Sequence, residues 1–100
     1  MRTLLVRERV VPAARASAYS GAWRQVVYTA RMHGIEAWVF RSASSEDHYL
    51  EFIEWKSDDV QSGPGAGTPP VAIADALGGL DMIAPALDSG AWQEWKEWRE

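Results

Sequence analysis

The stretch between Pro12 and Gly34 constrains the fold more than any other part of this chain. Within it the large apolar residues fall at Tyr19, Trp23, Val26, Val27 and Ala30, which is one stripe of an α-helix. Pro12 suits the first turn of a helix, because its missing N–H would have no intrahelical acceptor. Gly34 supplies a left-handed cap at the other end, and His33 lies in the last turn, where a cation suits the helix dipole. Ahead of Pro12, Thr3–Val11 is β-branched or apolar at many positions, with Arg7, Glu8 and Arg9 interleaved. That is the pattern of a strand. The chain therefore opens strand, then helix.

"GIEAWVF" and "HYLEFIEW" read as two further strands joined by the polar stretch "SASSED". The Gly-, Ser- and Asp-rich run after Trp55, residues 55–68, reads as a mobile loop. Thr68 is placed to cap a second helix with Pro69 at its first position. Ile73, Leu77, Leu80 and Ile83 or Ala84 give that helix its stripe, Gly78 and Gly79 weaken its middle, and Pro85 limits its end. The tail "WQEWKEW" would make a helix of barely two turns. As a strand it completes a sheet, with Trp92 and Trp98 on one face and Trp95 on the other. The resulting order, βαββαβ, predicts one α+β domain over residues 1–100. It is ferredoxin-like, a four-stranded antiparallel sheet with two helices on one face.

Composition excludes several classes. The chain has no cysteine, so disulfides, thiolate metal sites and a cysteine nucleophile are impossible. Its net charge is −4 and its basic residues are scattered, which argues against a nucleic-acid partner. No apolar run is long enough to span a bilayer, and Leu4–Val6 is too short for a secretory core. A soluble cytoplasmic protein is the expectation. "GPGAG" lacks the Gly-Lys-Ser/Thr ending of a phosphate loop. Neither a metal nor a cofactor is expected, since a single turn histidine, His48, beside Glu46 and Asp47, is too few ligands for a site.

The sheet faces carry the functional reading. Setting Arg41 opposite His48 puts Ile35, Ala37 and Val39 with Leu50 and Phe52, a small aliphatic face suited to the helices. The other face then gathers Glu36, Trp38 and Phe40 with Tyr49, Glu51, Ile53 and Trp55, and with Arg7 and Arg9 of the first strand. So many large rings require a cover, and a second copy of the chain is the economical one. Trp92, Trp95 and Trp98 are the expected dimer contacts. Arg7, Arg9, Trp38, Arg41 and Trp55 are the candidate residues for binding a small aromatic or acidic molecule. His48, Glu51 and Tyr49 are the candidate catalytic groups. Against these stand a solvated turn histidine, and an ordinary cross-strand ion pair of Glu51 with Arg7 or Arg9.

"HYLEFIEWKS" resembles the third strand of the antibiotic biosynthesis monooxygenase-like proteins of the dimeric α/β-barrel superfamily. In that group such a strand ends in Trp followed by a small polar residue, here Trp55-Lys56-Ser57. The resemblance implies the βαββαβ fold, and homodimers formed by packing sheets face to face. The leading functional expectation is a protein that binds a small molecule, with monooxygenase-like or isomerase-like activity. Members that oxidise substrates without a cofactor tend to use an Asn–Trp–His set, and this chain contains no asparagine. Haem-degrading members carry a histidine on the helix after the third strand, and residues 58–77 contain none. The alternative expectation is a non-catalytic dimerisation or protein-interaction module.

Overall fold

The computed structural model describes residues 2–56 and 68–94. Its elements follow the order β1 (Arg2–Val10), α1 (Ala16–Met32), β2 (Glu36–Arg41), β3 (His48–Lys56), α2 (Val71–Ile83) and β4 (Ala86–Gln93). The four strands form one antiparallel sheet in the order β2-β3-β1-β4, and both helices cover the same face. This is the ferredoxin-like α+β arrangement.

Local chemistry sets most of the boundaries. A short 3-10 turn over Ala13–Arg15 leads into α1, closed by the Arg15 amide donating to the Pro12 carbonyl at 2.8 Å. At the other end Gly34 has a φ of 68°, a conformation that side chains with a Cβ rarely adopt. The Ile35 amide then returns to the Ala30 carbonyl at 2.9 Å and starts the descent into β2. The α1 stripe of Tyr19, Trp23, Val26 and Ala30 is buried. It packs with Ile73, Leu77 and Leu80 of α2 and with Leu5, Ile53 and Trp55 of the sheet in one core.

Three expectations are corrected. The second helix begins at Val71, after Pro70, and no side chain caps it, so neither Thr68 as cap nor Pro69 as first helical residue holds. The last strand begins at Ala86, well before Trp92. "ALDSGAWQ" is a poor strand former by composition, and it is held by pairing with β1, with an irregularity between Glu8 and Arg9. Of the tail tryptophans only Trp92 belongs to that strand; Trp95 and Trp98 lie outside the described residues, as does most of the expected 55–68 loop.

The third correction concerns register. Arg41 pairs with Tyr49, one residue from the expected His48, and a slip of one residue exchanges the faces of a strand. The turn chooses this register. The Ser42 amide donates to the His48 carbonyl at 2.8 Å, and the Ser42 hydroxyl accepts from the Ser44 and Ser45 amides. Consequently Ala37 and Val39 share the helix side with Tyr49, Glu51, Ile53 and Trp55. Trp38 and Phe40 share the open side with Leu50 and Phe52. The residues expected on one aromatic face are thus divided between two.

Candidate functional site

On β1 the odd positions Thr3, Leu5, Arg7 and Arg9 point under the helices and are buried. Arg7 lies directly opposite Glu51 of β3, and Arg9 reaches it from the next position on the same face. Arg9 grips Glu51 with two bonds, Nε to Oε2 at 2.8 Å and Nη2 to Oε1 at 3.1 Å. Tyr19 of α1 donates its hydroxyl to the same Oε2 at 2.6 Å. Arg7 Nε stands 3.9 Å from Oε1. From α2, Asp81 accepts from Arg9 Nη1 at 2.9 Å and also from Arg7.

Two guanidinium groups and two carboxylates make the cluster formally neutral. Such a pair of buried ions is tolerable only when the remaining donors and acceptors are also satisfied. For Arg9 and Glu51 most of these needs are met, since Arg9 additionally donates to the Ala84 carbonyl; nearby, Arg15 donates to that of Ile83 at 2.5 Å. Both cations sit at the C-terminal end of α2, where the helix has no basic residue of its own. Burial works to lower the Arg9 pKa, but the hydrogen bonds and charges of Glu51 and Asp81 outweigh it and leave it raised. Burial, followed by the hydrogen bond to Glu51, pushes the Tyr19 phenol well above the usual tyrosine range. Glu51 is fully engaged. The cluster's chemistry is to tie both helices to the sheet, and a proton could leave Tyr19 only if those contacts opened.

Two clefts lie beside the cluster, where β2 turns into β3. The larger, about 440 Å³, has Val11, Ala13 and Ala16 as its apolar floor, Tyr49 as a wall, and Arg41, Glu46 and Asp47 at its charged rim. The smaller, about 320 Å³, opens on the uncovered sheet face beside Glu8, Phe40, His48 and Leu50, and it shares Arg41 and Tyr49 with the first. The Val11 amide donates to the Asp47 carbonyl at 2.8 Å and fixes the turn against the end of β1. Tyr49 leans on Tyr19, with ring centroids 4.6 Å apart, so the wall of the larger cleft rests directly on the buried cluster.

The structure therefore sorts the residues singled out from the sequence into three places. Arg7, Arg9 and Glu51 are together inside, and Trp55 is buried in the core farther along β3, opposite Thr3. Arg41, Tyr49 and His48 are together at the clefts, with His48 Nε2 at 3.7 Å from a Glu8 oxygen. Trp38 stands apart on the open face, stacked on Phe52 with centroids 5.4 Å apart. A single pocket combining Arg7 or Arg9 with Trp38 and Trp55 is not formed. Glu51 lines neither cleft.

Sequence reasoning missed Tyr19 and Asp81 as members of the cluster. Both carried a signal: Tyr19 puts a hydroxyl on a buried stripe, which calls for a partner. Asp81 is the carboxylate next to Leu80 in a helix that is otherwise nearly apolar at its end.

Among the described residues no group of three or more His, Cys, Asp or Glu could hold a metal ion, and no helix is long and apolar enough to cross a membrane.

Among the described residues nothing covers the open face of the sheet. Leu4, Val6, Phe40, Leu50 and Phe52 lie on it, as does Trp92, which pairs opposite Leu4 and is 64% exposed.

No protein-family model and no curated protein matches the sequence. Solved structures do match it closely in shape. SnoaB of Streptomyces nogalater, a cofactor-independent oxygenase, superposes with a TM-score of 0.63 at 14% identity, over 99% of this chain and 98% of that one. A conserved protein of Methanosarcina mazei gives a TM-score of 0.69 at 9% identity, over 95% and 94% of the two chains. HapK of Hahella chejuensis gives 0.61 at 18% identity, over 95% and 93%. Several other matches over nearly the whole chain are described as antibiotic biosynthesis monooxygenases. Order of elements, sheet topology and superposition agree: this chain has the fold of the antibiotic biosynthesis monooxygenase-like proteins.

Proposed function

We propose that the protein is a homodimer that pairs through its open sheet face and binds a small molecule in the clefts around Arg41 and Tyr49. One observation carries this, the inequality of the two faces. The helix side is filled by a core and a buried ion cluster. The other side leaves Phe40 61% exposed and Trp92 64% exposed, beside Trp38, Phe52 and Leu50. An apolar patch of this kind on so small a chain needs a partner, and a two-fold copy of itself meets the need with one surface. A stable interface takes roughly 800 Å² from each partner. The solved neighbours with this fold include a cofactor-independent oxygenase, which supports the binding part of the reading. The Asn–Trp–His set linked with cofactor-free oxidation has no counterpart here, because the chain lacks asparagine.

A thermal-shift screen with phenols, small carboxylic acids and amino acids tests ligand binding, because a ligand held only by the folded state raises the melting temperature. Shifts that disappear on substitution of Arg41 support the cleft. A second reading, a pairing module without a ligand, is favoured by the filled interior, where Arg7, Arg9, Glu51, Asp81 and Tyr19 occupy the space between sheet and helices. It is expected to give no shift with any compound while sedimenting at twice the 11.1 kDa chain mass.

A further inference from the structure

We propose that the larger cleft selects zwitterions, and specifically molecules of the amino-acid class with an aromatic side chain. The proposal deepens the reading of this cleft as a small-molecule site and rests on it. Its starting point is a mismatch of charges at the rim. Arg41 lines the cleft with Glu46 and Asp47, yet among the described residues Arg41 makes no hydrogen bond or ion pair. All three residues are exposed, and one cation and two carboxylates line the same open volume without an ion pair between them. The fold leaves these opposite charges unpaired around one cleft.

A ligand that completes such a rim must carry both signs. A plain carboxylate would satisfy Arg41 and meet two like charges. A plain amine would satisfy Glu46 or Asp47 and leave the guanidinium facing it. A molecule with an ammonium and a carboxylate on one carbon serves both. The guanidinium suits the carboxylate in particular, because its planar fork can donate two parallel bonds.

The body of the ligand is set by the rest of the lining. Ala13 and Ala16 are small, Val11 closes the floor, and the Tyr49 ring forms a flat wall suited to offset stacking. The volume of about 440 Å³ falls within the range of small-molecule sites, roughly 300–1,000 Å³. The rim is held in place from behind. The Asp47 carbonyl is tied to the Val11 amide, and the Ser42 hydroxyl accepts the Ser44 and Ser45 amides, so the turn that presents both carboxylates is built before the ligand arrives.

Calorimetric titration of the full chain with L-phenylalanine, phenylpropionate and phenylethylamine tests this. The last two each lack one charge of the first. Phenylalanine is expected to bind about fivefold tighter than either, the range that exposed ion pairs of this kind supply. Arg41→Gln should abolish its advantage over phenylethylamine. Glu46→Gln with Asp47→Asn should abolish its advantage over phenylpropionate. The three side chains are exposed, so these variants are expected to keep the wild-type circular dichroism spectrum. Equal binding of phenylalanine and either half-charged probe overturns the proposal, and so does binding of none of the three. Sedimentation of the same samples separates the two ideas. A dimer that binds none of the probes sinks the zwitterion site alone, whereas a monomer with the expected charge dependence supports the site and sinks the pairing.

Discussion

Glu51 has no exposed surface, and both its oxygens are engaged by Arg9 while Tyr19 adds a third bond. Removing one member of a buried ion pair leaves the other desolvated without compensation, a loss of about 3–5 kcal/mol. Glu51→Ala is therefore expected to lower unfolding stability by about that amount in urea titrations. Asp81→Ala should cost much less, about 1 kcal/mol, because its side chain is half exposed and Arg9 keeps Glu51. Equal losses would place the cluster's weight on α2 instead.

Tyr19 gives a pH signature. Its folded pKa is raised above the unfolded value, so its contribution is fully present below about pH 10 and is lost as pH rises beyond that. The stability gap between the wild type and Tyr19→Phe should accordingly be largest near neutrality and shrink above about pH 10. A gap that widens in alkali would contradict the assignment.

At this scale the sequence told part of the story. Arg7, Arg9 and Glu51 could be matched by alternation along two neighbouring strands. The register could not be read from them, because an apolar match of the strands disfavours a buried carboxylate. It is the cluster that makes the burial of Glu51 tolerable, and two of its members come from helices distant in sequence.

Among the elements, α1 was legible because a long stripe, a proline before it and a glycine after it all agreed. The fourth strand was not. Ala86–Gln93 contains Asp88, Ser89 and Gly90, and what makes it a strand is the free edge of β1 rather than its own propensity. The tryptophans downstream drew the expectation away from it.

The second helix keeps its course through Gly78 and Gly79, each with open space where a Cβ would stand. Glycine in a helix interior is worth about 1 kcal/mol less than alanine. Gly78→Ala and Gly79→Ala are each expected to raise stability by up to about 1 kcal/mol, read as a higher urea midpoint with an unchanged slope. A loss in either variant would show that the close fit of α2 over the sheet depends on the missing methyl.

For the whole molecule, the sequence expected one crowded aromatic face, and the structure distributes its members differently. Trp55, Tyr49 and Glu51 went under the helices, while Leu50 and Phe52 joined Trp38 and Phe40 outside. What remains outside is still apolar, continuous from β2 through β3 and β1 to Trp92, and flanked by the edge strand β4. The account stands or falls on which face meets the second copy. Two exposed aromatic residues on opposite sides decide it: Phe40 on the open sheet face, 61% exposed, and Tyr28 on the outer side of α1, 63% exposed. Sedimentation equilibrium at micromolar concentration should give twice 11.1 kDa for the wild type and for Tyr28→Glu, and a single chain mass for Phe40→Glu. A wild-type monomer, or a dimer split by the Tyr28 change and untouched by the Phe40 change, would contradict it.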